Sequence, residues 1–147
     1  MVDVAKVEQL LKRDFVIWGT YTIDPMGVIN VEGNVDHRAK QARLYVQFGT
    51  VSGYWASQWR GLKNLKGIPT HVGELTVTYY PGMPVLRCLA AQKYINLQAT
   101  VSKQPGYDVE RTTINKILDK YVGRGHAGAL ACAAELIRAK YPKNARW

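Results

Sequence analysis

The sequence predicts an α/β fold: a short β-solenoid of about four coils of roughly 20 residues, capped at both ends by helical segments. Three observations carry that expectation. The first is a strand-like pattern recurring every 20 residues, at 33–38 (GNVDHR), 53–58 (GYWASQ), 73–78 (GELTVT) and 93–98 (KYINLQ). The second is an apolar segment after each of the first three windows. The third is an amphipathic helical pattern on either side of the repeats.

The N-terminal segment MVDVAKVEQLLKRDF places Val4, Val7, Leu10 and Leu11 on one face of a helix. YTIDPMGVINVEG reads next as a hairpin, two alternating strands about a Pro-Met-Gly turn. In the repeats, Val35, Trp55, Leu75 and Ile95 fall in one register, with His37, Ser57, Val77 and Leu97 two residues on. Between them lie Asp36, Ala56, Thr76 and Asn96, which are polar or small. Period-2 alternation of this kind marks half-buried strands. Four at one interval place one strand on each coil, so that Trp55 and Leu75 become neighbours on parallel strands. An antiparallel meander or small barrel is the competing arrangement.

The returns carry Leu44, Val46 and Phe48, then Leu62, Leu65 and Ile68, then Met83, Leu86 and Leu89. Leu62 and Leu65 have the spacing of one turn of 3-10 or α structure. Gly33, Gly53 and Gly73 are expected to supply unusual backbone angles where each coil enters its strand. After Pro105-Gly106, one helix is expected around Ile114, Ile117, Leu118 and Tyr121. GRGHAG is expected to turn the chain, and a second helix to present Leu130, Ala133, Ala134, Ile137 and Tyr141. The chain is thus expected to form one domain: a helix and hairpin cap at 1–32, the solenoid at 33–104, and a helical hairpin at 105–147 covering the last coil.

A strand with a leucine-bearing return in this period fits the short end of the leucine-rich-repeat range. The segments VINVEGNVDHR, VQFGTVSGYW and NLKGIPTHVGELTV resemble the degenerate leucine-rich-repeat-like proteins encoded by tailed bacteriophages. Leu62, Leu65, Gly67, Pro69, Val72 and Gly73 match their pattern in order. Glu74 stands where a second glycine is usual, and the third return, YYPGMPVLRCL, is unusually aromatic. The C-terminal INKILDKYVGRGHAGALACAAELIRAKY resembles the helical tail of such proteins. The resemblance implies a small accessory protein without established catalytic residues, of a kind involved in host takeover or in blocking host defences.

With 147 residues, 47% hydrophobic and 21% charged, the chain has an ordinary globular composition. It contains no apolar run of membrane-spanning length and no signal-peptide pattern, so a cytoplasmic location and no membrane association are expected; the resemblance implies that the cell is an infected host. Cys88 and Cys132 fit no metal or redox spacing. Free buried thiols are the preferred reading, with a disulfide between them as the alternative.

Charge points to function. The net charge is +9 and the pI about 9.7. Between Asp36 and Asp108 the sole acid is Glu74, against Arg38, Lys40, Arg43, Arg60, Lys63, Lys66, Arg87, Lys93 and Lys103. The 20-residue register stacks Lys40 over Arg60 and Arg43 over Lys63, a basic ridge along the returns. Such a ridge fits an acidic protein surface or, alternatively, the phosphates of nucleic acid. The outer sheet face adds Tyr54 and Tyr94 among Asn, Gln and Thr, a composition suited to protein recognition. The second C-terminal helix is alanine-rich and poor in base-reading side chains in its first turn, which argues against sequence-specific DNA reading.

Catalytic patterns are weak. His37, His71 and His126 have no metal-ligand spacing, and His37, at an inward position, reads as a hydrogen-bonded core histidine. Ser52, Ser57 and Ser102 lie in no nucleophile motif, and GRGHAG lacks the ending of a phosphate loop. The expectation is a non-enzymatic binding protein with no cofactor and no metal. Its candidate partner-binding residues are Lys40, Arg43, Arg60, Lys63, Tyr54 and Tyr94.

Overall fold

The computed structural model describes residues 2–100 and 104–147, with the backbone alone at His126. Ser102, Lys103 and the His126 side chain, all named above, lie outside the described residues. Helix α1 (Val4–Asp14) leads into a hairpin of β1 (Phe15–Ile23) and β2 (Val28–His37). Strands β3 (Gln47–Ser57), β4 (His71–Thr78) and β5 (Ala91–Gln98) follow, then helices α2 (Tyr107–Asp119) and α3 (His126–Arg138). The five strands form one sheet in sequence order. The β1–β2 pair is antiparallel and the pairs β2–β3, β3–β4 and β4–β5 are parallel, which excludes the meander and makes the repeat region a β-solenoid of about four turns. No described helix is long and apolar enough to cross a membrane.

The 20-residue register holds. Val35 pairs with Trp55, Trp55 with Leu75, and Leu75 with Ile95. None of these side chains is more than 1% exposed. Each fills the space between the sheet and the returns, where burying a large apolar side chain contributes about 1.5–3 kcal/mol. The returns supply the facing layer through Leu44, Val46, Leu62, Leu65, Ile68, Met83, Val85, Leu86 and Leu89, all buried. Backbone bonds tie one return to the next: Gln41 N–H to the Arg60 carbonyl (2.9 Å), Lys63 N–H to that of Ala42 (2.8 Å) and Phe48 N–H to that of Gly67 (2.9 Å).

Four expectations need correction. Leu62 and Leu65 are buried, but the second return is built from bends and turns; the 3-10 turn lies in the third return, at Leu86–Ala90. Gly33 has φ +140°, facing Gly19 across the hairpin, whereas Gly53 and Gly73 have no positive φ. Those two are required by close approach. A Cβ at Gly53 would lie 1.9 Å from Asn34 Oδ1 and 2.6 Å from the Gly33 carbonyl oxygen, and one at Gly73 would lie 2.8 Å from that of Gly53. The hairpin and the first coil share β2, so the hairpin continues into the solenoid without a break at residue 32. Finally, α3 is rotated from its expected phase. Cys132 and Leu136 are buried, while Leu130 is 83% and Ile137 55% exposed.

Both ends of the solenoid are covered. At the first, Leu11 of α1 and Phe15 join the core, and the Phe15 ring packs 5.1 Å from Phe48 and 4.9 Å from His37. At the other, α2 lies along the open edge of β5. Its Asn115 accepts from Leu97 N–H (2.7 Å) and donates to the Ile95 carbonyl (3.1 Å), completing bonds a further strand would make. Arg111 Nη1 donates to the Leu97 carbonyl at 2.9 Å. The C-terminal tail adds a last rung to the return layer. Val85 N–H donates to the Asn144 carbonyl and Leu86 N–H to that of Arg146, both at 3.1 Å. Buried Asn144 donates to Tyr79 Oη and to the Met83 carbonyl, each at 2.8 Å. Cys88 and Cys132 are free and buried. Burial pushes the Cys88 thiol up to about 12 and that of Cys132 to about 11.

Candidate interaction surface

The predicted basic residues come together. The backbone bonds from Gln41 to Arg60 and from Lys63 to Ala42 set segment 40–43 beside segment 60–63, as the 20-residue register requires. Lys40, Arg43 and Lys63 are exposed, and Arg60 is half-buried. Among the described residues, none of the five ion pairs involves any of these four or Lys66. Two are steadied by aromatic rings: Arg43 Cζ lies 4.8 Å from the Tyr45 ring centre, and Lys63 Nζ lies 4.3 Å from that of Tyr80. Such contacts contribute about 0.5–1 kcal/mol at exposed sites and limit the wandering of the cation.

The ridge also contains what the sequence reading missed. Tyr80 lies 20 residues beyond Arg60, so the register that found the basic pairs also held its aromatic third rung. Lys143 continues the ridge, because the tail brings its side chain beside Gly82 of the third return. No spacing in the sequence pointed to that, since the tail returns from the far side of α3.

The tyrosines divide. Tyr54 and Tyr94 both lie on the outer face of the sheet, in one cross-strand row with Trp18, Asn34 and Glu74. Tyr54 Oη donates to Asp36 Oδ2 (3.2 Å), and Trp18 Nε1 donates to the same oxygen (3.0 Å). Burial, with the neighbouring Asp36 carboxylate, raises the Tyr54 pKa. Asp36 thus links Tyr54 to the corner where the ridge begins. Tyr94 stands two strands away, paired with Glu74 and 52% exposed, apart from the ridge. This face carries Glu32, Asp36 and Glu74, so it opposes a polyanion while the ridge attracts one.

Where face and ridge meet, the ends of β2 and β3 frame a cleft of about 150 Å³ lined by Asp36, His37, Arg38, Ala56, Gln58 and Arg60. His37 is 2% exposed. Its Nδ1 lies 2.8 Å from Ser57 Oγ and its Nε2 2.7 Å from Gln41 Oε1, so both ring nitrogens are engaged. Burial lowers its pKa, opposed by the Gln41 bond and Asp14 and reinforced by the charge of Arg60. Ser57 and His37 form a buried polar pair with no room for a substrate between them. His71, at the start of β4, is exposed and bonded to Thr70 Oγ1 at 3.3 Å. Among the described residues, no group of three or more His, Cys, Asp or Glu is placed to hold a metal ion. No family model, curated protein or solved structure matches the chain.

Proposed function

We propose that this chain is a non-enzymatic binding protein that engages an acidic protein surface through the ridge of Lys40, Arg43, Arg60 and Lys63, extended by Lys143. One observation carries the reading: cations from successive coils line one edge without a carboxylate partner of their own among the described residues. A stack of like charges costs stability through self-repulsion and offers an acidic partner a steering field. The adjoining face, with Tyr54 tied to Asp36 and acids of its own, fits a partner of mixed charge better than a uniform polyanion. Action in an infected host cell, in host takeover or against host defence, rests on the sequence resemblance alone.

The test is capture from a bacterial lysate with and without nuclease, beside a variant with all four ridge residues replaced by Glu. The expected result is a saturable, nuclease-resistant protein partner that the variant loses. Capture that nuclease abolishes, with affinity falling steeply with salt at about −0.9 log units per phosphate contacted, would replace the acidic protein by nucleic acid. Unchanged capture by the variant would refute the ridge.

A further inference from the structure

We propose that the cleft between the C-terminal ends of β2 and β3 is a site for a phosphoryl oxyanion, held by the guanidinium groups of Arg60 and Arg38. The proposal rests on the ridge being the partner-binding edge, because Arg60 belongs to both.

The donors in the cleft lack acceptors. Arg60 Nε is buried with no hydrogen-bond partner. Arg87 Nε, Arg111 Nε and Trp55 Nε1 are buried and unpaired in the same way; what sets Arg60 apart is that its guanidinium lines the cleft and makes no ion pair with any described carboxylate. Arg38 has Asp36 as its nearest carboxylate, but at 3.8 Å the contact is an ion pair and not a hydrogen bond. The Asp36 oxygen concerned already receives Trp18 and Tyr54. Two planar forks with unused donors suit a tetrahedral oxyanion, which accepts paired N–H bonds from each. Gln58 adds an amide donor at the rim.

The space is built into the chain. In the row Asp36–Ala56–Thr76–Asn96 the residue on β3 is alanine, so the cleft floor is one small side chain wide. Just beyond, Trp59 adopts φ 56°. That conformation is strained for a bulky residue. It is fixed by Trp59 N–H bonding Thr78 Oγ1 (2.7 Å), and the indole Nε1 reaches the Ala99 carbonyl (3.2 Å). The Trp59 side chain is thereby carried toward β5, and the next residue, Arg60, turns back to the cleft.

The experiment titrates inorganic phosphate, phenyl phosphate, dimethyl phosphate and acetate into the full chain at low ionic strength, followed by amide and His37 imidazole NMR shifts. Phosphate is expected to move His37, Ala56, Gln58 and Arg60 selectively and to saturate. Arg60→Gln should weaken it about tenfold or more, the scale of one charge-assisted bond. Arg60→Lys should fail to restore it, since a fork is required, and the distant Lys93→Gln should change it less than about twofold. Equal binding of dimethyl phosphate identifies a phosphodiester backbone as the source of the group; binding of phenyl phosphate and phosphate alone identifies a monoester. The proposal is overturned by acetate binding as well as phosphate, by shifts spread along the ridge, by affinity that survives Arg60→Gln, or by no saturation. A Glu variant at Lys40, Arg43 and Lys63 that spares Arg60 tests the ridge separately. If it loses the captured partner while phosphate fails to bind, the ridge reading stands and the cleft falls.

Discussion

Replacing Asn115 by alanine tests whether α2 completes the sheet or only lies against it. The Asn115 amide accepts from Leu97 N–H at 2.7 Å and donates to the Ile95 carbonyl at 3.1 Å, both on the open edge of β5. Two such bonds contribute about 1 kcal/mol each net, and more where the freed groups stay dry. Asn115 is half-buried, so water reaches the site in part and the lower end applies. Alanine returns at most about 0.7 kcal/mol through its better helix propensity. The expected loss is therefore about 1.3–2 kcal/mol. Urea denaturation followed by far-UV circular dichroism measures it, and native-state exchange of the Leu97 amide locates it. A loss under about 0.5 kcal/mol with Leu97 protection unchanged would show that the edge needs no amide from α2.

Other outcomes follow from the same geometry. His37 has a folded pKa below its unfolded value, so the neutral ring is the native form; stability from it is full above about pH 6.5 and is lost as pH falls. Denaturation midpoints should drop below that pH, and the drop should shrink in His37→Gln; an equal drop in the variant would place the acid sensitivity elsewhere. Gly53→Ala should destabilise by more than the ordinary few tenths of a kcal/mol, because the new methyl meets the Gly33 carbonyl as well as the movable Asn34 amide. Thermal melts of Gly53→Ala beside Asn34→Ala separate the two contacts, and a fully stable Gly53→Ala would show that β3 can shift away from β2.

The repeat was legible because its cause is local and repeated. One coil forces an apolar residue inward at each step of 20, and Val35, Trp55, Leu75 and Ile95 record that. What failed depends on particular neighbours. Gly53 reads like a left-handed glycine, yet it is fixed by the Asn34 side chain of the previous coil, a contact no one-dimensional period encodes. The phase of α3 was lost because alanine marks neither face strongly. Leu130 and Ile137 looked inward by hydrophobicity, while the core took Cys132 and Leu136. Lys143 joined the ridge only through the tail that follows α3.

The departures from the repeat cluster in space. In the inward column that continues as Val77 and Leu97, His37 and Ser57 are polar, and they satisfy one another. In the outward column, which is otherwise polar, Ala56 is apolar and small. Trp59 alone carries a left-handed backbone in the returns between the parallel strands without being glycine. All four lie at one corner, where β2 and β3 end and Arg38 and Arg60 converge. A solenoid built only for stability gains nothing from a buried polar pair, a shortened side chain and a strained tryptophan within a few residues. His37 and Ala56 line the same cleft as Arg60, and Trp59 directly precedes it in the chain. Local conflict with a global pattern is expected where a fold has been shaped around a ligand. The same reasoning makes Arg38 and Arg60, exposed and half-buried at this corner, the positions where substitution should remove phosphate binding without changing how the protein folds.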